Sequence, residues 1–121
     1  MSGERPKGDS ERTRASVRFA SERGGVLVLK GHRTIVATGE EFSINLSGNP
    51  GLATGGSGDV LSGVIGALLA QSLAPFDAAT LGAWVHGRAG DIAATKIGEA
   101  SIVASDVIDP LGPALRERTT P

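Results

Sequence analysis

No cysteine and no tyrosine occur among the 121 residues, and three phenylalanines and one tryptophan supply all the aromatic rings. Without cysteine, disulfides and thiolate metal sites are excluded, and a reducing cytoplasm is compatible with the chain. Aromatics are 3% against 40% hydrophobic residues, so a core must be built from Ala, Val, Leu and Ile. No aromatic residues interleave with the basic ones as a base-stacking platform requires. The net charge is −1, which leaves no broad basic field for nucleic acid or anionic lipid. Long apolar runs are missing too. The longest, residues 60–73, is too short and too interrupted by Gly and Ser to span a bilayer. Residues 1–14 are charged and hold no apolar run, unlike a signal peptide.

What is abundant is glycine, 18 residues clustered in turns and one loop without any internal repeat. The length suits one small domain or part of a larger one. Residues 1–8 read as a disordered lead-in and 117–121 as a tail, with a partial α/β domain over 9–116. Asp9 or Ser10 is expected to cap a helix to about Arg23, with Ala15, Val17, Phe19 and Ala20 as its buried stripe. Val26-Leu27-Val28-Leu29 reads as a strand covered on both faces, as in a parallel sheet. Residues 33–37 and 42–46 suggest a β-hairpin around Gly39-Glu40. A loop over 47–58 leads into a helix to about Leu73, with Val60, Leu61, Val64, Ile65, Leu68 and Leu69 on one face. Pro75 opens a second helix, and Gly98 closes it after Ile97. Ser105-Asp106 could cap a last short helix, which Pro110 and Pro113 would interrupt or shift.

The chemistry sits in Thr54-Gly55-Gly56-Ser57-Gly58-Asp59. Three glycines let the backbone approach a ligand closely. The loop opens onto a helix whose first-turn N–H groups and dipole suit a phosphate. An aspartate at that edge is odd for anion binding alone. As a base taking the proton of a hydroxyl that attacks phosphorus, it makes sense. No Lys follows Gly58, so this is not a Walker loop, and Leu61 stands where a dinucleotide fingerprint needs glycine. The plainer reading is a glycine turn with Asp59 capping the helix.

The longer string Gly48-Asn49-Pro50-Gly51-Leu52-Ala53-Thr54-Gly55-Gly56-Ser57-Gly58-Asp59-Val60-Leu61-Ser62-Gly63 resembles the signature of the ADP/ATP-dependent NAD(P)H-hydrate dehydratases, the YjeF C-terminal domain group. The resemblance extends upstream to Leu29-Lys30-Gly31-His32-Arg33-Thr34. Downstream it reaches His86-Gly87-Arg88-Ala89-Gly90-Asp91 and Ala104-Ser105-Asp106-Val107-Ile108. It implies the C-terminal half of a ribokinase-like α/β/α sandwich. It also implies an enzyme that uses ADP or ATP, with Mg²⁺ arriving on the nucleotide, to restore NADH or NADPH from its hydrate. Asp59 would be the base and contact the hydrated cofactor, with Asn49 beside it. Gly55, Gly56, Ser57 and Gly58 would form the phosphate hole. Lys30, Gly31, His32, Arg33, Thr34 and Gly58 would contact the nucleotide. The family's N-terminal half has no counterpart in these residues, so a longer parent chain, another copy or a partner chain would have to supply it.

Read without the resemblance, Lys30 at a strand end either meets phosphates or emerges into solvent, and Thr34 is a β-branched strand residue. His86 reads as a packed helix residue, and Trp84 as core. His86 and Asp91 are five apart and make no metal pair, and no His/Asp/Glu spacing suggests a protein-bound metal. The competing functions are a non-catalytic remnant, the nucleotide-binding half of a split enzyme, or another ribokinase-type small-molecule kinase.

Overall fold

The computed structural model describes residues 7–31 and 33–119. Helix α1 (Lys7–Arg23) leads into strands β1 (Leu27–Leu29), β2 (Ile35–Ala37) and β3 (Phe42–Ile44). A 3₁₀ turn at Pro50–Leu52 precedes α2 (Ser57–Ala70) and α3 (Pro75–Ile97). Two more 3₁₀ turns, Glu99–Ser101 and Ala104–Val107, lead to α4 (Leu111–Thr119). The expected lead-in is thus already helical at Lys7, and the expected tail lies in α4 as far as Thr119. Asp9 and Ser10 fall inside α1 and do not cap it. Residues 1–6 lie outside the described residues.

The sheet runs β1-β2-β3, and both pairings are antiparallel, with Leu27 opposite Ala37 and Ile35 opposite Ile44. This corrects the parallel reading of residues 26–29. A parallel partner needs a crossover of a dozen residues or more. Only five separate Leu29 from Ile35, and they can close nothing but a hairpin. The fully buried strand is β2, while β1 is half-buried along its length. On β2, Val36 packs with Ala79 and Ala83 of α3. Ile35 and Ala37 alternate to the other face, where α1 lies. Helix, sheet and helix therefore stack as three layers.

The buried stripe of α1 is Thr13, Ser16 and Ala20, not the expected Ala15 and Phe19, which are exposed. Ser16 donates its hydroxyl to the Arg12 carbonyl at 2.7 Å, so burying it strands no polar atom. Phe19 stays half outside with the Arg23 guanidinium over its ring.

Helix α3 is the spine. Its buried side is almost all small residues, including Ala79, Gly82, Ala83, Gly87, Ala89, Gly90 and Ala93. Its Pro75 start and Gly98 end are as the sequence indicates. Helix α2 stops earlier than expected, at Ala70, because Ser72 turns into the left-handed region at φ 72°. Val85, Ala89 and Ala93 gather Ile102, Val107 and Ala114 into the second core cluster. Trp84 lies half-buried at its margin, with the Arg118 guanidinium of α4 4.9 Å above the indole. Arg88 grips Glu117 of α4 with two bonds of 2.8 and 3.2 Å. No helix among the described residues is long and apolar enough to cross a membrane.

Candidate active site

The turn between β1 and β2 is drawn tight by Thr34. Its buried hydroxyl accepts from the Gly31 N–H and donates to the Gly31 carbonyl, both at 3.4 Å. Thr34 is therefore spent on shaping this turn. Arg33 takes the left-handed conformation, φ 63°, that the tight reversal demands. His32 lies outside the described residues. Lys30 leaves the end of β1 and donates from Nζ to the Leu52 carbonyl at 3.4 Å. On the way its Cδ passes 3.9 Å from where a Cβ on Gly58 would stand. The lysine expected at the nucleotide turn thus reaches the glycine loop.

Segment 45–49 is fixed by α3. Asn45 donates to the Ala83 carbonyl at 3.0 Å, and the Ser47 hydroxyl donates to that of Trp84 at 3.0 Å. Gly87 has to be glycine here, because a Cβ would fall within 2.8 Å of the Ser47 carbonyl carbon. One turn further along α3, Asp91 accepts the Gly48 N–H on Oδ2 and the Asn49 side-chain amide on Oδ1, each at 3.0 Å. Asn49 in turn accepts the Gly51 N–H at 2.9 Å and caps the 3₁₀ turn. Asn49 lines the cavity, but its amide is engaged on both ends by the protein.

Helix α2 starts at Ser57. Its cap is Gly56, left-handed at φ 86°, and not Asp59, which sits exposed in the first turn. Among the described residues the Asp59 carboxylate makes no hydrogen bond or ion pair, so it remains available to a ligand. Gly55 and Gly56 are exposed and Gly58 is half-buried. Ser57 differs from its neighbours: it is fully buried, its N–H is taken by the Thr54 carbonyl at 3.3 Å, and its hydroxyl lies 3.2 Å from His86 Nε2. His86 is buried, and its pKa is lowered to about 4. Burial is the main cause and the nearby Lys30 charge the second, opposed by a hydrogen bond that the imidazole donates to the Ser57 backbone.

These elements enclose a cavity of about 520 Å³, lined by Lys30, Gly31, Arg33, Thr34, Asn45, Asn49, His86 and Gly87 among others. Residues 55–59 do not line it; they stand at its border, joined to it by the Lys30 stem. Segment 50–54 divides this cavity from a second hollow of about 480 Å³ bounded by Thr54, Glu99 and Ile102. No three His, Asp or Glu side chains cluster as a metal site among the described residues.

Sequence reasoning missed two contacts, His86 with Ser57 and Asp91 with Gly48 and Asn49. The available signal was a histidine and an aspartate set among small helix residues. Buried polar groups in such a setting need partners.

The family model for NAD(P)H-hydrate dehydratase matches residues 1–111. The ADP-dependent (S)-NAD(P)H-hydrate dehydratase of Neisseria meningitidis serogroup B is 46% identical over 112 residues, which are 92% of this chain and 38% of that protein. The bifunctional NAD(P)H-hydrate repair enzyme Nnr of Escherichia coli is 45% identical over 104 residues, 85% of this chain and 20% of the relative. The ADP/ATP-dependent NAD(P)H-hydrate dehydratase of Bacillus subtilis, co-crystallised with ATP/Mg²⁺, superposes with a TM-score of 0.84 at 26% identity. The superposition covers 90% of this chain and 40% of that one. The chain thus spans two fifths or less of the length of these relatives, and the ribokinase-like α/β class expected from the sequence agrees with the superposition. Every element that builds the cavity lies within the matched residues, and the chain belongs to the NAD(P)H-hydrate dehydratase family.

Proposed function

We propose that this chain forms the nucleotide side of an ADP-dependent NAD(P)H-hydrate dehydratase that restores NADH or NADPH from its hydrate. One observation carries the reading: Lys30 runs from the β1 turn across Gly58 at the start of α2, beside an unengaged Asp59. A cation, first-turn amides and a carboxylate at one helix edge suit phosphoryl transfer. ADP, or ATP in its place, binds along residues 30–34 with its Mg²⁺ carried on the phosphates. The amides of Gly55, Gly56 and Gly58, around the buried Ser57, hold the transferring phosphoryl group. Asp59 takes the proton of the hydrate's ring hydroxyl as the hydroxyl oxygen attacks the terminal phosphorus, and AMP leaves when ADP is the donor, ADP when it is ATP. The C–O bond then breaks with loss of phosphate, and a proton leaves the adjacent ring carbon to restore the double bond. Asn49, held by Asp91 and capping the 3₁₀ turn, shapes the cavity wall against which the hydrate sits. Residues outside this segment, in a longer parent chain, a second copy or a partner chain, complete the substrate side, and the cysteine-free composition fits a reducing cytoplasm.

Calorimetric titration with ADP tests this. The expected dissociation constant lies between about 1 μM and 1 mM, where enzymes hold their substrates. Gly58→Val is expected to weaken it at least about tenfold by obstructing the anion position. A folded chain that gives no heat with ADP or ATP would refute the reading. A nucleotide-binding module without chemistry is the second reading, favoured by a cavity that Lys30, Gly31, Arg33 and Thr34 line and Asp59 does not. Adding ADP and hydrated NADH and following NADH absorbance separates the two.

A further inference from the structure

We propose that His86 is a positioning residue for the 55–59 loop: through Ser57 it fixes the start of α2, and with it the direction of the Gly58 amide and the Asp59 carboxylate. The start of α2 has little else to hold it. Gly56 offers no side-chain cap. The Ser57–His86 bond at 3.2 Å is the only side-chain hydrogen bond on that first turn among the described residues. Both partners are buried, Ser57 at 0% and His86 at 4% exposure. His86 lies midway along α3, the helix that packs against α2, β2 and α4, so the loop is referred to the helix at the centre of the packing.

A polar pair is a poor way to fill such a space. An apolar pair of similar size would avoid desolvating a hydroxyl and an imidazole, and a buried hydrogen bond returns little net stability. What it adds is direction, because the bond holds only when Ser57 points at α3. The adjacent residues, Gly58 and Asp59, then inherit that orientation.

The imidazole acts in its neutral form. Burial and Lys30 both oppose its protonation. Lys30 is the charge that acts on it, and Arg33 lines the same cavity; α2 brings Ser57 to its Nε2, and Leu61, Asn45 and Ser47 share that cavity. Asp91, further along α3, is occupied by Gly48 and Asn49.

Hydrogen–deuterium exchange of the whole chain reads the loop directly, whereas the ADP arm rests on the nucleotide reading above. His86→Leu and Ser57→Ala are expected to speed amide exchange in residues 55–60 by about tenfold or more while β2 and the middle of α3 stay protected. His86→Gln, whose amide can take the place of Nε2, is expected to restore the wild-type rate. Corrected for intrinsic chemistry, loop protection in the wild type should fall between pH 6.5 and pH 4. In His86→Gln that fall should be absent. Ser57→Ala should also weaken ADP binding by about tenfold. Unchanged loop exchange in folded His86→Leu and Ser57→Ala overturns the proposal. So does loosening spread equally through β2 and α3, or a failure of His86→Gln to rescue. A chain that loosens as expected but never binds ADP supports the positioning role and sinks the nucleotide reading instead.

Discussion

Asp91 accepts the Gly48 N–H on one oxygen and the Asn49 amide on the other, so its removal strands two donors at once. Asp91→Ala should cost about 3 kcal/mol, the sum of two bonds to a charged acceptor. Asp91→Asn keeps one acceptor and should cost less; urea melts that place both variants level with the wild type would contradict this. Asp59 has no such structural task, and its substitution should spare the fold. In the active enzyme Asp59→Asn should lower turnover by about 10²–10⁴ with ADP affinity little changed. Single-turnover assays beside calorimetry check that, and wild-type turnover would remove Asp59 from the role of base. His86 couples stability to pH. In the unfolded chain its imidazole takes up a proton near 6.5, in the folded chain near 4. Between those values the unfolded state binds more protons, so stability falls as pH drops from 6.5 towards 4 and levels below, by roughly 3 kcal/mol from this group. His86→Gln should flatten that slope in denaturant melts run across the window. The glycines and Asp59 were legible because a ligand loop needs residue types that leave few alternatives. His86 and Asp91 were not, because their partners are 29 and 43 or 42 residues away in sequence and nothing local marks them.

Segment 50–54 is a thin wall with a hollow on either side, and it is held from α3 by Asp91 through Asn49 and by Gly90, which leaves room for Leu52. At its far end Gly56 makes the left-handed step into α2. Gly56→Ala should cost about 1–2 kcal/mol for that conformation. The added methyl would also press on Ala104 at 3.2 Å, so the 3₁₀ turn after Ile102 should loosen as well. Thermal melts, with exchange over residues 102–107, test both parts; an unchanged melting point would mean that α2 can start without the left-handed residue. The bounds of α3 could be read directly, since proline at the first turn and glycine after the last are strong local signals. The direction of β1 could not, because an unbroken apolar run speaks of cover and not of strand polarity. The inward face of α1 was misjudged for a related reason: Ser16 satisfies its hydroxyl within its own helix, so polarity at that position carries no penalty.

As a whole the molecule combines a core of small residues with sizeable apolar side chains left outside. Leu46 is 78% exposed, and Val103 and Ile108 are each 52% exposed. Both outer strands of the sheet, β1 and β3, lack a further strand partner among the described residues. Such edges and patches recruit other chains. The chain is expected to sediment above its 12.2 kDa monomer mass, and Leu46→Ser to shift it back; a wild-type monomer at all loadings would remove this expectation. The lone indole has a consequence for anyone who follows the protein by light. With no tyrosine to feed or mask it, emission excited at the indole band comes from Trp84 alone, a residue of α3 that lies under the Arg118 guanidinium of α4. Fluorescence will therefore report the undocking of the last helix, while the sheet and the glycine loop can melt in the dark.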